Sequence, residues 1–409
     1  MASLWDKKDV SDVINIGKGH PKTSLLPLDG ISKAFAAAAA RPGAETTLLQ
    51  YGRMQGSEDL ITLLIAWLRD AVGRGDELQP ENVLITTGSG PALDYILHLF
   101  TAPGDTVFAD SPGYFLAFPS FADCGLRVVD IPTDGGGMDV EAVAAKCAAG
   151  EVPRVIYTVP IGANPTGATM TDERRRRLVE LARQYGFFIV ADEVYQLLTY
   201  DGAAAPKSLA QFDTDPEKRV VFAVNSFSKL LGPGLRLGWV EAGPAAIRRM
   251  VASGAIQSGG GLNPFPSAVV AEMLRSGDAQ RHVATVRQAY TASSAVLCDA
   301  LDAELTPVLG ADGFRYVRPT GGFFVFVRLA RAVDTEVLLQ TYAKEEGVVF
   351  FAGRHFASGM AGGEGFTNAL RVCFAFLDEA ALRAGVARLA RALKAYVADH
   401  PEVAGVAAA

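Results

Sequence analysis

The stretch Asn225-Ser226-Phe227-Ser228-Lys229, with Arg236 seven residues beyond the lysine, gathers groups that could do chemistry together. Lysine usually sits at a surface because its ammonium is costly to desolvate. This one follows Val220-Val221-Phe222-Ala223-Val224, an apolar run that reads as an interior strand. Desolvation lowers the pKa of an amine and makes it a usable nucleophile. The hydroxyls of Ser226 and Ser228 flank it, and Leu231-Gly232-Pro233-Gly234 turns the chain toward Arg236. Small hydroxyls beside a guanidinium suit a phosphate. An amine for an aldehyde and a cradle for a phosphate point to pyridoxal 5'-phosphate, held by Lys229 as a Schiff base.

Other residues supply chemistry that such a cofactor needs, each with an ordinary alternative. Thr87-Gly88-Ser89-Gly90 stands between a strand and a helix, where free amides and the helix dipole suit a phosphate; a structural turn fits the same residues. Asp192 ends an apolar strand, and a buried carboxylate there pairs with a protonated pyridine nitrogen or serves as a cap or ion-pair partner. Tyr195 reaches a ring oxygen or fills core, and Asn164, in Asn164-Pro165-Thr166-Gly167, reaches the same oxygen or shapes a turn. Tyr114, after Ser111-Pro112-Gly113, stacks on a flat ring or packs internally. Arg371 interrupts the apolar Leu370-Arg371-Val372-Cys373-Phe374; its fork matches a substrate carboxylate or an internal acid.

The elements around these residues predict how they are positioned. Short apolar runs at 83–86, 106–109, 126–131, 155–158, 187–191, 220–224 and 235–240 alternate with helical patterns, among them Ile61, Leu64, Trp67 and Leu68 on one face and a helix around Arg175 to Tyr185. Continuous apolar strands with helical crossovers predict a largely parallel sheet buried on both faces, which binds ligands beyond the carboxyl ends of its strands. Beyond about residue 277 a long helix to about Leu305, strands at 322–327, 348–351 and 370–374, and a closing helix ending near Val397 predict a smaller α+β unit. The division expected is an N-terminal segment 1–48 that joins the small unit, a large domain 49–290 and a small C-terminal domain 291–409. The alanine-rich residues 33–40 read as a helix, and the tail from Val403 as frayed.

Composition excludes several classes. A chain of 409 residues with a net charge of −7 lacks the basic footprint of a nucleic-acid binder. Glu173 with Arg174 to Arg177 reads as one turn of a solvated helix. Cys124, Cys147, Cys298 and Cys373 are scattered, so neither a disulfide framework nor a metal site is expected. No run of eighteen apolar residues exists, and Met1 to Lys8 lacks a signal-peptide core, so a soluble cytoplasmic protein is expected.

Taken together, Asn164-Pro165-Thr166-Gly167, Asp192-Glu193-Val194-Tyr195 and Ser226-Phe227-Ser228-Lys229 with Arg236 resemble the fold type I pyridoxal-phosphate enzymes, specifically the class I/II aminotransferases. The nearest resemblance is to the subgroup of 2-aminoadipate and kynurenine aminotransferases and the aminotransferase-like domain of MocR regulators. It runs from Tyr51-Gly52 and Gly56 to the Arg371 strand. It implies a three-layer αβα large domain with a mostly parallel sheet and a smaller α+β domain. Lys229 would hold the cofactor and then move the proton, and Asp192 would pair with the ring nitrogen. Asn164 and Tyr195 would contact the ring oxygen, and Tyr114 would stack on the ring. Ser89, Gly90, Ser226, Ser228 and Arg236 would bind phosphate, joined by Tyr51 from the other subunit of a homodimer. Arg371 would clamp the substrate carboxylate, with Asn164 and Gly19 also at the substrate. Gly19 lies in Gly17-Lys18-Gly19-His20-Pro21-Lys22, which corresponds to the region that often covers the side-chain pocket in this subgroup; its cations suit an acidic or phosphorylated substrate or are solvated surface.

The function implied is amino exchange between an α-amino acid and a 2-oxo acid. Two departures from the subgroup, Ala163 in place of glutamine and Gly90-Pro91 in place of Gln-Gln or Gln-x, leave a second outcome: elimination, replacement or ring closure in specialised metabolism. A ligand-sensing regulator domain would need a DNA-binding extension and a basic charge.

Overall fold

The computed structural model describes residues 12–401, apart from 201, 204, 216, 217, 331 and 359–364. Met1 to Lys8 and the tail from Val403 lie outside the described residues. Eight strands form the main sheet, in the order Val83–Thr86, Gly238–Glu241, Val221–Ser226, Phe188–Asp192, Val155–Thr158, Thr106–Ser111, Arg127–Asp134 and Gly137–Met138. The five central strands from Val221–Ser226 to Arg127–Asp134 run parallel. Gly238–Glu241 runs antiparallel to both its neighbours, and Gly137–Met138 closes a short hairpin.

Alternate side chains of these strands enter different cores, which is why the runs are apolar throughout. Val107, Tyr157 and Phe222 pack on one face with the helix Ser89–Phe100. Phe108, Ile156 and Val221 pack on the other with Val140–Ala148 and Asp172–Tyr185. The three-layer arrangement follows directly. Asp172–Tyr185 is delimited by its sequence: Thr171 accepts from the Arg174 amide at its start, and Gly186 takes a left-handed φ of 78° past its end.

A third core joins the helices Glu58–Val72, Asp278–Leu309 and Glu379–Asp399 to a four-stranded sheet of Phe314–Arg315, Phe324–Leu329, Ala369–Cys373 and Phe351–Ala352. The expected strand 348–351 is divided between two partners. Val348–Val349 pairs in parallel with Ile14–Asn15, whereas Phe351–Ala352 pairs with the Arg371 strand. The alanine-rich segment forms the helix Leu28–Ala39.

Two expectations need correction. The strand expected from Leu235 begins at Gly238, because Pro233–Leu235 is a turn and Arg236 has a left-handed backbone with φ 47°. The solvated turn expected around Arg174 to Arg177 contains a buried residue: Arg175 is 1% exposed and donates to the Lys207 and Pro160 carbonyl oxygens. Buried guanidinium is tolerated there because carbonyl groups meet it.

Candidate active site

The parallel strands end at one rim, and the groups singled out by sequence meet in a cavity of about 580 Å³ beside it. Asp192 closes Phe188–Asp192, and Ser226 closes Val221–Ser226, so chain direction alone brings both to that rim. Lys229 follows in the turn after Ser226, with its Nζ 5.7 Å from the Phe323 ring centre. Burial pushes the Lys229 ammonium down from its ordinary value, while the Asp192 carboxylate works the other way.

Asp192 is buried, and its Oδ2 accepts from the Tyr157 hydroxyl at 2.8 Å. Its Oδ1 is buried with no hydrogen-bond partner. Burial raises this carboxyl to about 6, against the Tyr157 hydroxyl, the Val194 amide and Lys229. An orphaned buried acceptor of this kind fits the protonated nitrogen of a pyridine ring.

The phosphate-type groups form a second cluster in the same cavity. Ser226 Oγ donates to Ser228 Oγ at 2.9 Å and accepts the Ser228 amide at 3.1 Å. Ser89 and Gly90 open the helix Ser89–Phe100, whose Gly88 cap offers no side-chain acceptor. Its first amides therefore stay available to an anion. Pro91 withholds one donor from that turn, leaving the Ser89 and Gly90 amides to the cavity. A Cβ built on Gly90 meets nothing within 4 Å, whereas one on Gly88 would sit 3.0 Å from Arg236 Nη2. That contact places the guanidinium beside the helix start. The left-handed Arg236 backbone that puts it there is held by Asn263, whose amide donates to the Arg236 carbonyl oxygen. Hydroxyls, free amides and a guanidinium without an acidic partner among the described residues fit a phosphate.

Arg371 is 3% exposed and makes no salt bridge among the described residues. Its Nη1 donates to Asn164 Oδ1 at 2.9 Å and its Nη2 to the Gly17 carbonyl oxygen at 2.8 Å, while Nε has no partner. Phe324, Phe351, Phe356 and Phe115 surround it, with ring centres 4.2 to 5.9 Å from the guanidinium carbon. Burial lowers its pKa to about 10. The internal acid considered as an alternative is therefore not there, and the geometry fits a bound carboxylate. Gly19 is set by close approach: a Cβ there would come 2.8 Å from the Phe324 ring and 3.8 Å from Arg371 Nη2.

Asn164, Tyr114 and Tyr195 also line the cavity. The Asn164 loop is held by backbone contact of Gly162 on Gly322, both with positive φ, where a Cβ on either would come within 3.0 Å of the other. Tyr195 packs 5.2 Å from the Phe323 ring. Burial raises the Tyr114 and Tyr195 hydroxyls above their ordinary value, so both stay protonated donors. Tyr51 does not line the cavity of this chain: it is 79% exposed, with its ring against Gly260. Ala163 faces the core beside the sheet rather than the cavity. Lys18 holds its ammonium 4.0 Å over the Phe376 ring, and His20 is pushed down to about 4 by burial, Lys18 and Lys229.

Sequence reading missed Tyr157 and the phenylalanine collar of Arg371. Tyr157 lies in an apolar strand like any core residue, and nothing local marks its partner.

The aminotransferase class I and II family model matches residues 11–389. The chain belongs to that family, a group of fold type I pyridoxal-phosphate enzymes. This aminotransferase is 33% identical to a 2-aminoadipate transaminase of Thermus thermophilus, covering 94% of this chain and 91% of the relative. It is 31% identical to aromatic-amino-acid aminotransferase 1 of Thermococcus litoralis, covering 94% and 89%. A solved kynurenine aminotransferase of Pyrococcus horikoshii, in complex with PMP, superposes with a TM-score of 0.84 at 30% identity, covering 94% and 92%. No helix among the described residues is long and apolar enough to cross a membrane.

Proposed function

We propose that this aminotransferase moves the amino group of an α-amino acid to a 2-oxo acid, with Lys229 holding pyridoxal phosphate and moving the proton. One observation carries the reading. A desolvated amine, a buried carboxylate oxygen without a partner and a buried guanidinium without an acid share one cavity.

When bound, pyridoxal phosphate supplies an aldehyde that takes up the amino group and a ring that draws electrons from the reacting bond. Asp192 Oδ1 would accept a hydrogen bond from the protonated ring nitrogen. Tyr195 and Asn164 would donate to the ring oxygen, and Tyr114 would cover one face. Ser89, Gly90, Ser226, Ser228 and Arg236 would hold the phosphate. Lys229 Nζ would take the proton from the substrate Cα. Its lowered pKa keeps an uncharged fraction for that step. Arg371 grips the substrate carboxylate, which orients the Cα bond to be broken. The apolar cavity wall of Phe115, Val349 and Phe351 favours an aromatic or long apolar stem on the substrate.

The working unit is read as a homodimer. Tyr51, Leu49, Phe35 and Phe265 are exposed at 79%, 77%, 43% and 44%, and Phe35 meets Phe265 at 5.6 Å between ring centres. A monomer gains nothing by exposing them together, and a second copy would bring Tyr51 to a phosphate site. The four cysteines are free, as in a reducing cytoplasm.

The test is a panel of amino acids offered with 2-oxoglutarate or pyruvate, with products identified by mass spectrometry. Stoichiometric 2-oxo acid and new amino acid support the reading. An eliminated or cyclised product without amino transfer would overturn it.

A further inference from the structure

Tyr157 and Asp192 come from adjacent parallel strands whose register pairs Tyr157 with Val190, so Asp192 lies two residues further along the same face. A phenol is long enough to span that diagonal. Its hydroxyl donates to Asp192 Oδ2 at 2.8 Å, and both side chains are buried. The Phe121 ring, 5.5 Å away between centres and steeply tilted, packs against the phenol. A hydroxyl has one proton to give, so this one is committed to Asp192. The outcome is asymmetric: Oδ2 is engaged, and Oδ1 has no partner.

We propose that Tyr157 is a positioning residue for the cofactor, whose hydroxyl holds Asp192 so that only Oδ1 meets the ring nitrogen of pyridoxal phosphate. This inference rests on the assignment of that cofactor. A carboxylate free to rotate would present either oxygen and lose part of its directional bond to the ring. A hydroxyl donating to it also favours the ionised form over the acid. Burial pushes Asp192 toward its acid form, and the Tyr157 hydroxyl is the largest of the groups opposing this, ahead of the Val194 amide and Lys229. An acid in that position could not hold the ring nitrogen in its protonated state. Phenylalanine at 157 would keep the packing against Phe121 and lose the bond.

The test compares two cofactors on the apoenzyme: pyridoxal phosphate, and its analogue in which a carbon replaces the ring nitrogen. Affinities are read by absorbance titration. For Tyr157→Phe the expected loss is at least roughly tenfold for pyridoxal phosphate, the scale of a hydrogen bond to a charged group. For the carbon analogue, which has no ring nitrogen to meet Asp192, the expected change is less than about twofold. An equal loss with both cofactors would assign Tyr157 a structural role only, and no loss with either would remove it from the site. Both results overturn the inference. If wild-type protein binds neither cofactor, the cofactor assignment itself fails. A second comparison covers the case in which the single variant does not fold. In an Asp192→Asn background, removing the Tyr157 hydroxyl should change pyridoxal phosphate affinity by less than about twofold, and a tenfold loss there would contradict the inference.

Discussion

Arg371 Nη1 donates to Asn164 Oδ1 at 2.9 Å, joining residues 207 positions apart in the chain. Arg371 comes from the four-stranded sheet and Asn164 from a loop after the parallel strand Val155–Thr158. The group read as the substrate clamp is thus oriented by a group read as a cofactor ligand. The Gly17 carbonyl oxygen holds its other nitrogen, so the N-terminal segment shares in the geometry.

Replacing Arg371 with lysine keeps the charge and loses the fork. The expected outcome is a fall in kcat/KM of roughly 100-fold, expressed mainly in KM for the amino acid. Pyridoxal phosphate affinity should stay within about threefold of wild type. Steady-state kinetics beside cofactor titration would check this, and an equal loss in both would make Arg371 a structural residue.

Asn164→Ala should affect both partners of the bond. Cofactor absorbance is expected to shift because a donor to the ring oxygen is lost. The amino-acid KM should rise about tenfold as the guanidinium loses one of its two anchors. A change confined to the absorbance would show that Arg371 needs no help from Asn164.

Much of the site was legible because its parts are local strings. Ser226, Ser228 and Lys229 are bound to one strand end, and the chain direction of a parallel sheet sends Asp192 to the same rim. Contacts between strings were not legible. The Arg371 strand announced a buried cation, but its collar of Phe115, Phe324, Phe351 and Phe356 assembles from four separate segments. Arg175 was misread because its run of arginines looks solvated; only the fold shows that its face of the helix meets Lys207 and Pro160. The break at Phe350 was hidden because both halves of the apolar run 348–352 have strand composition.

Arg175 should therefore matter for stability more than for chemistry. Arg175→Leu leaves the Pro160 and Lys207 carbonyl oxygens without this donor. A loss of about 2–3 kcal/mol in unfolding free energy is expected, with kcat changed less than about twofold. Denaturant titration measures the first and kinetics the second. A stability unchanged within error would show that water or a neighbouring donor replaces the guanidinium.

Glu193 gives the protein a pH-dependent stability. It is buried beside Asp192, its Oε1 accepts the Leu209 amide, and burial raises its carboxyl from 4.5 to about 7. Between those values the unfolded chain has lost the proton that the folded chain keeps. This contribution is complete below about 4.5 and is lost as pH rises to 7 and beyond, on the order of 3 kcal/mol in all. Glu193→Gln should flatten the unfolding free energy between pH 4.5 and 7.5 relative to wild type. Parallel profiles for the two proteins would refute the assignment.

Charge placed on the exposed apolar patch should separate the subunits. Leu49→Glu is expected to shift the protein from twice 43.2 kDa to 43.2 kDa in sedimentation and to weaken pyridoxal phosphate, because Tyr51 of a second copy is withdrawn. A wild-type protein that sediments as a monomer with full activity would exclude the shared site.

The most direct measurement is to load the protein with pyridoxal phosphate, reduce it with borohydride and locate the modified residue by peptide mass spectrometry. The expected result is a single phosphopyridoxyl adduct on Lys229. An adduct on another lysine, or none at saturating cofactor, would contradict the central role given to that amine.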